Sequence, residues 1–429
     1  MKRSLMIILL LVPNLLLAQE KLTLRQAFEK ALRKSEVVAI KNEDIRIAEG
    51  HYLQAWGEVL PHIAVKATDF IQDTSGSSSG GSSFSDSFTR RTKPEVAITA
   101  EQPIFQGLRE FYALQTSGAE KKKNIFLKRR AQELLFSDLT KTYYSVIELE
   151  HEHEILKSLL QATNKRVKEI QDRIGLGKSR ESEVYVAESQ QASLQADLEK
   201  SEAQRKTALE LLSYFVGEPV TQELVDEFPV PEQLPNIQEA LNRASNRSDV
   251  LAQQEAVRLA KGRVGYERGG HLPDVRFGAN YYPYRVGFQE NIKWDMLFTA
   301  KLPIFSGGAT AGRVKEAKAQ LKQAEFSKTE KKRATERDIK QAMASLEAAA
   351  KREKFLKEAE GKSGKNYQAQ VGDYRLGLVN NLDVLQSLKD WQQFRLQANL
   401  AHYQTKLEFL NFKVTEGHLP IVEDLLVKP

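Results

Sequence analysis

Two spacings of apolar residues take turns along the chain, and each predicts its own kind of element. Between Gly107 and Arg173 and just beyond, Leu127, Leu135, Leu139, Val146, Leu149, Leu156, Leu160, Val167, Ile170 and Ile174 fall three, four or seven residues apart, with one step of eight. No proline interrupts them. A helix of that span would be roughly 100 Å long, several times the diameter of a compact domain, so it cannot wrap a globular core. After the turn Gly175-Leu176-Gly177, a second helical pattern runs from Glu181 to Phe215, predicting an antiparallel coiled-coil hairpin. The same pair returns from Ala309 to Tyr374 and from Leu382 to Val414, where Gly361 and Gly364 are expected to weaken the first helix locally.

The other spacing is two. Val275, Phe277, Ala279 and Tyr281 alternate with Asp274, Arg276, Gly278 and Asn280. Ile292, Trp294, Met296, Phe298, Ala300 and Leu302 alternate with Lys293, Asp295, Thr299 and Lys301, with Leu297 alone breaking the polar side. Ile63, Val65 and Ala67, then Val96, Ile98 and Ala100, repeat the pattern earlier. Strands are therefore expected near His62 to Asp73, Lys93 to Gln102, Pro273 to Tyr284 and Asn291 to Leu302. Each is about the ~9–11 residues that a tilted strand needs to cross a bilayer, although half-buried strands of a soluble sheet alternate in the same way. Aromatic residues at Tyr281, Tyr282, Tyr284 and Trp294 sit where an interfacial girdle would place them.

The chain is also an internal duplication. Pro103-Ile104-Phe105-x-Gly107 recurs 200 residues later as Pro303-Ile304-Phe305-x-Gly307, Gly177 as Gly377, and Gly217 as Gly417. Upstream the register differs slightly: Ala27, Ser35 and Glu36 match Ala240, Ser248 and Asp249 at an offset of 213, and Leu60-Pro61 matches Leu272-Pro273 at 212. The 12-residue difference falls between Pro61 and Pro103, an interval that contains a Ser/Gly-rich run from Thr74 to Ser83. The predicted organisation is a leader over residues 1–18, a first repeat over 19–216, a proline-rich linker over 217–236, a second repeat over 237–416 and a tail over 417–429. Each repeat reads helix, two strands, two long helices.

The leader rests on Lys2 and Arg3, the apolar run Leu5 to Leu17 and the small Ala18 before a cut near Gln19. Beyond it nothing approaches the ~18 consecutive apolar residues of a spanning helix, so membrane crossing by the mature chain would have to use strands. Composition removes other classes. With 63 Lys and Arg against 57 Asp and Glu the net charge is +6, and +4 without Lys2 and Arg3, too balanced to imply nucleic acid. The absence of cysteine excludes disulfides, thiolate-held metals and an acylated N-terminal cysteine.

Four strands cannot close a transmembrane barrel, for which about eight is the usual minimum, and open edges are not tolerated in lipid. If these strands span a membrane, several copies must share one barrel. Two copies would give eight strands and three would give twelve, and geometry alone does not choose.

Several stretches together resemble the TolC family of outer-membrane efflux proteins. Leu22-Thr-Leu-Arg-Gln-Ala-Phe28 is similar to that family's opening helix. Lys34-Ser-Glu-Val37 and Arg247-Ser-Asp-Val250 are similar to its Asn/Arg-Pro-Glu/Asp-Leu element, with Ser in place of Pro. Leu60-Pro61, Pro103-Ile-Phe105, Pro303-Ile-Phe-Ser-Gly-Gly308 and Tyr374-Arg-Leu-Gly-Leu-Val-Asn-Asn-Leu-Asp-Val-Leu385 complete the order, across essentially the whole mature chain. The resemblance implies a mainly α fold with a transmembrane β part: a homotrimer whose twelve-stranded outer-membrane β-barrel continues as a periplasmic α-helical barrel. It also implies a passive exit duct in the outer membrane of a Gram-negative bacterium, docked to an inner-membrane pump through a periplasmic adaptor, in efflux or type I secretion, with no cofactor.

The same resemblance suggests sites. The turns Leu176-Gly177-Lys178 and Leu376-Gly377-Leu378 correspond to tips that adaptor hairpins contact, although glycine there also suits a plain helix C-cap. Asp383 matches the family's constriction, where three copies would form a carboxylate ring, and an Asp at a helix start is equally a cap. The second acid that the family often carries three residues on is Gln386 here, for which Glu183 of the first hairpin could partly compensate. Tyr374 matches a side chain that holds the hairpins together by hydrogen bonding.

Other patterns are read away from chemistry. His151 and His153 diverge by about 200° on a helix, which suits a solvated face better than zinc. Gly361-Lys-Ser363 and Gly177-Lys-Ser179 end like phosphate loops but lack the upstream glycine and the preceding strand. The basic runs Lys121 to Lys123 and Lys331 to Arg333 read as solvated helix faces, and nothing encloses two carboxylates, so catalysis is not expected. From another class, a periplasmic coiled-coil scaffold or adhesin with a soluble sheet fits the same helices.

Overall fold

A computed structural model describes residues 21–73, 90–229, 233–419 and 422–426; the leader and the Ser/Gly-rich run from Thr74 to Ser83 lie outside them. The first repeat supplies α1 (Leu24–Lys34), α2 (Glu36–Gly57), β1 (His62–Ile71), β2 (Thr92–Gln106), α3 (Arg109–Gly175) and α4 (Glu181–Val216). The second supplies α5 (Ile237–Arg243), α6 (Ser248–Gly269), β3 (Asp274–Arg285), β4 (Trp294–Lys301), α7 (Ala309–Arg375) and α8 (Asn381–Glu416). Lengths recur in pairs: α3 and α7 have 67 residues each, α4 and α8 have 36, and α2 and α6 have 22. No described helix is long and apolar enough to cross a membrane.

The chain forms two compact units, and each draws segments from both repeats. Of the described residues, the first takes those within 21–35, 132–237 and 339–425, and the second those within 36–131 and 238–338 and residue 426. The long helices α3 and α7 contribute to both.

In the second unit the strands form one antiparallel meander in the order β1-β2-β3-β4. Its register sets like beside like, as an alternating pattern requires. Across β3 and β4, Phe277 faces Phe298, Ala279 faces Met296 and Tyr281 faces Trp294, with the two phenylalanine centroids 4.7 Å apart. Ile63 faces Ala100 and Val65 faces Ile98 on the same side. The opposite side is hydrogen-bonded: Asn280 Nδ2 and the Tyr282 hydroxyl each donate to Asp295 at 2.8 Å, and Arg276 donates to Glu101 at 2.9 Å. Two register shifts, beside Val96 and beside Phe105, mark bulges between β2 and β3. Every residue of β1 and most of β4 are exposed, Ile63 and Val65 by 72% and Phe298 by 70%.

Two strand limits differ from expectation. β2 continues through Pro103-Ile104-Phe105 to Gln106, because Phe105 pairs with Val275 beyond the bulge. β4 begins at Trp294 rather than Asn291, because the chain is still turning there: Glu290 donates to the Gly287 carbonyl and Ile292 to that of Gln289.

The first unit is sealed by aromatic and polar groups. Thr23 and Gln26 form a reciprocal capping box that starts α1, and the buried Phe28 meets Phe136 edge-on at 5.2 Å. Leu22 and Leu224 form an isolated parallel bridge. The Tyr143 hydroxyl pins it, donating to the Leu22 carbonyl at 2.6 Å and accepting from the Val225 amide at 3.0 Å. Lys406, 4% exposed, bonds Asp226 and lies over the rings of Tyr144 and Tyr403. α7 runs unbroken through Gly361 and Gly364, where local weakening is expected. Gly364 has a packing reason: a Cβ there would stand 3.0 Å from the Trp391 indole nitrogen, whose ring stacks on Tyr367.

Candidate functional site

The two helix-to-helix turns are built alike. Gly177 and Gly377 take positive φ, +69° and +78°. In the first turn Gly177 donates to the Ile174 carbonyl at 2.8 Å and Lys178 to that of Arg173 at 2.8 Å. In the second, Gly377 donates to Tyr374 at 3.1 Å and Leu378 to Asp373 at 2.9 Å. These are paired six-to-one and five-to-two bonds of a Schellman ending, which satisfy the last carbonyls of a helix and need a residue free to enter the left-handed region. Nothing lies within 4 Å of a Cβ built on either glycine, so both turns present open backbone. Leu176, Leu376 and Leu378 are 69%, 75% and 71% exposed, and Lys178 is exposed beside them.

The helices that leave these turns start differently. Asn380 caps α8, its side chain accepting from the Asp383 amide at 3.0 Å, while the Asp383 carboxylate accepts from the Asn380 amide at 3.3 Å. Asp383 is thus the third residue of a reciprocal capping box and stays exposed. At the matching position of α4, Arg180 makes no side-chain cap, and Glu183 instead accepts from the Ser179 hydroxyl at 2.7 Å. Gln386, one turn beyond Asp383 on the exposed face, donates to Asp390 at 2.8 Å. Asp383, Gln386 and Glu183 thus each engage a partner close in sequence.

The side chains that join the two hairpins escaped sequence reasoning, apart from Tyr374. The Tyr374 ring is buried, with the guanidinium groups of Arg166 and Arg173 at 4.0 Å and 4.2 Å from its centre. Arg166, itself 3% exposed, donates twice to Asn381 Oδ1, at 2.9 Å and 2.6 Å, and once to Glu169 at 2.9 Å. Asn381, 1% exposed, immediately follows the cap residue of α8. One arginine of α3 therefore grips the end of α7 by its ring and the start of α8 by its amide. Below it Val167, Ile170, Ala187 and Leu385 close an apolar cluster, with Ile174 and Val184 against it. The only sequence signal for this lock was Tyr374, because a polar contact between distant helices has no periodicity.

The discounted motifs have structural partners. His151 bonds the Tyr403 hydroxyl at 2.5 Å. Gly361-Lys-Ser363 is continuous helix, with Lys362 paired to Glu358. Lys121 pairs with Glu49 at 2.9 Å and Lys331 with Asp249 at 3.7 Å, so these two lysines tie helices together as well as facing solvent. Among the described residues no group of three or more His, Asp or Glu is placed to hold a metal ion.

Among the described residues the arrangement offers surfaces, caps and a lock, and solved proteins share its architecture. VceC, an outer membrane protein from Vibrio cholerae, superposes with a TM-score of 0.78 at 17% identity, over 92% of this chain and 96% of that one. The MtrE outer membrane channel of Neisseria gonorrhoeae gives 0.77 at 19% identity, over 92% and 89%. By sequence the chain is similar to outer membrane efflux protein BepC of Brucella suis biovar 1 (strain 1330), 22% identical over 312 residues, 70% of this chain and 67% of that protein. Residues 236–412, nearly all of the second repeat, match the family model described as outer membrane efflux protein. The second repeat thus carries the pattern of the outer membrane efflux protein family, and the fold shared with these solved proteins extends over both repeats.

Proposed function

We propose that this outer-membrane protein is the exit duct of a pump-driven efflux or type I secretion assembly, and that three copies make one pore. The observation that carries this reading is the sheet: four strands, apolar on one side, hydrogen-bonded on the other, with β1 and β4 as its edges. Three such sheets supply twelve strands and remove every edge, as a barrel in lipid requires. The Asp295 and Glu101 side then faces the lumen and the Phe277 and Phe298 side faces lipid. The helical hairpins of the three copies continue the duct through the periplasm.

In this reading the turns around Gly177 and Gly377 are the surface that a periplasmic adaptor docks against, and the inner-membrane pump supplies cargo and energy. The exposed leucines and open backbone of the turns suit close packing by another helical hairpin. Asp383, repeated three times around the axis, forms an acidic ring that favours cations at the constriction. The cap that Asp383 makes with Asn380 fixes its position on the first turn of α8.

The test is insertion followed by conductance. Purified oligomer should open ion-conducting pores in planar bilayers. Phe298→Arg should reduce outer-membrane yield, since a cation facing lipid costs about 2–4 kcal/mol near the midplane, whereas Thr299→Arg should be tolerated in the lumen. Equal yields for the two variants would remove the barrel assignment.

A further inference from the structure

Inside each chain, the first repeat meets the second through a clasp of glycines. A Cβ on Gly107 would fall 2.3 Å from the Gly269 carbonyl oxygen, and one on Gly269 2.5 Å from that of Gly107. One on Gly265 would fall 2.3 Å from the Tyr112 ring, and one on Gly262 2.7 Å from Thr116. The start of α3 and the length of α6 therefore touch so closely that only glycine fits.

The internal offsets, 200 from Pro103 onward and 212 at Leu60-Pro61, the latter shared by the ends of α2 and α6, carry this clasp to a second place. Gly107 becomes Gly307, Gly269 becomes Gly57 and Gly262 becomes Gly50. Thr116 becomes Glu316, and the last contact changes hands: Tyr112 becomes Gly312 and Gly265 becomes Leu53, so the large residue and the small one exchange sides. Gly50, Gly57, Gly307 and Gly312 all have nothing within 4 Å of a built Cβ, and Leu53 is 70% exposed. The second clasp has both its halves and nothing in it.

The strand beside it is in the same condition. β2 stays paired to β3 through Gln106, but its counterpart β4 stops at Lys301, leaving Ile304 93% and Phe305 87% exposed. Transferring the β2–β3 register by the same offsets sets Ala300 opposite Ala67, Leu302 opposite Val65 and Phe305 opposite Ile63. The bulge before Phe105 is carried over as well, and because of it all three pairs fall on the apolar face. The transferred pairing also sets Lys301 beside Lys66 on the polar face, where Asp274 already stands opposite Lys301.

We propose that the occupant is a second copy of this chain: Leu53 on α2 of one copy seats over Gly312 on α7 of the next, and residues 302–306 join β4 as it pairs with that neighbour's β1 in the transferred register. This rests on the shared-barrel reading above and specifies its joint. The seam between copies is a rebuilt version of the seam within each copy, with knob and hole reversed.

The absence of cysteine makes the joint directly readable. In full-length protein in outer-membrane preparations, Ala67→Cys with Ala300→Cys should oxidise to disulfide-linked oligomers. Ala67→Cys with Phe298→Cys, or with Leu302→Cys, should give at least fivefold less. Stronger linkage at either shifted pair overturns the register and leaves the channel reading standing, as does a conducting oligomer that links at none of the three. Absence of any oligomer overturns both. The clasp has its own test. Gly312→Tyr should lower oligomer yield at least tenfold, and Leu53→Gly with Gly312→Tyr, which recreates the Tyr112 and Gly265 arrangement, should restore it to within twofold of the parent. A harmless single substitution, or a double variant that fails to recover, removes the clasp.

Discussion

The two hairpins share turn geometry and helix lengths, yet the polar fastening at their turns falls on the ends of the second hairpin's helices and spares the start of α4. The second hairpin has its α7 end held by Arg166 and Arg173 against Tyr374, its α8 start capped by Asn380 and its next residue, Asn381, bonded by Arg166. The first has the uncapped Arg180 and a local Ser179 to Glu183 bond. A second contrast lies along the long helices. α3 carries Glu148, Glu150 and Glu152 partly buried, where α7 has Ala348, Ala350 and Arg352. A repeat can thus keep its backbone almost unchanged while one copy gains a lock and the other gains strained charge. The lock is where stability should be concentrated and the acids are where it should depend on pH.

Removing the lock should have the largest effect. Arg166→Ala takes away two charge-assisted hydrogen bonds to Asn381, one to the exposed Glu169 and a guanidinium stack, and leaves Asn381 buried without that partner, a loss of about 3 kcal/mol. Denaturant unfolding of the solubilised protein measures it, and Arg173→Ala, which loses only a stack, should cost roughly a third as much.

The buried acids come next. Burial, reinforced by Glu152, raises the Glu148 carboxyl to about 7 from an ordinary 4.5. The folded state then holds a proton that the unfolded state has lost, so the contribution of Glu148 to stability is greatest below about pH 4.5 and falls as pH rises through 7. Glu148→Ala, which copies Ala348 of the other repeat, should flatten that fall and raise stability at pH 8 by roughly 1–2 kcal/mol. Thermal melts of the two proteins from pH 4 to pH 8 show whether the curves converge at the acid end.

Smaller still is the difference between helix starts. Asn380→Ala should cost about 1 kcal/mol, whereas Arg180→Ala should be neutral and Arg180→Asn should gain roughly half that by giving α4 the cap it lacks. Equal responses at the two positions would erase the distinction between the hairpins. Least visible in stability is Asp383→Asn, because Asn can accept the same capping bond. Its reading is functional: single pores in a planar bilayer should lose cation preference, and unchanged selectivity would leave Asp383 as a cap alone.

What could be read from sequence follows from what leaves a period. The long helices emerge within a few residues of expectation because burial along a helix repeats every three or four positions, and β1 and β3 because a pleat repeats every two. The ends of β2 and β4 were less legible, because the pairing of Phe105 with Val275 and the turn at Glu290 depend on neighbours in space. The glycine in α7 shows the same limit: propensity marks Gly364 as a weak point, and packing against Trp391 makes it a fitted one. Of the candidate site, the turns and the cap lay in local sequence. The grip of Arg166 on Asn381 spans 215 positions and leaves no local trace.

The fastening of α1 has a consequence for timing. Leu22 is held by Leu224 and by the hydroxyl of Tyr143, 121 positions on, and Arg25 bonds Asp424, 399 positions on. Contacts so distant cannot form until the intervening chain has been made and delivered, and closing such loops is slow. α1 therefore precedes in the chain the segments that secure it and is among the last of the described helices to be fastened. In the proposed outer-membrane duct, which would cross one membrane before settling in another, this order leaves α1 with nothing to hold until the distant segments arrive.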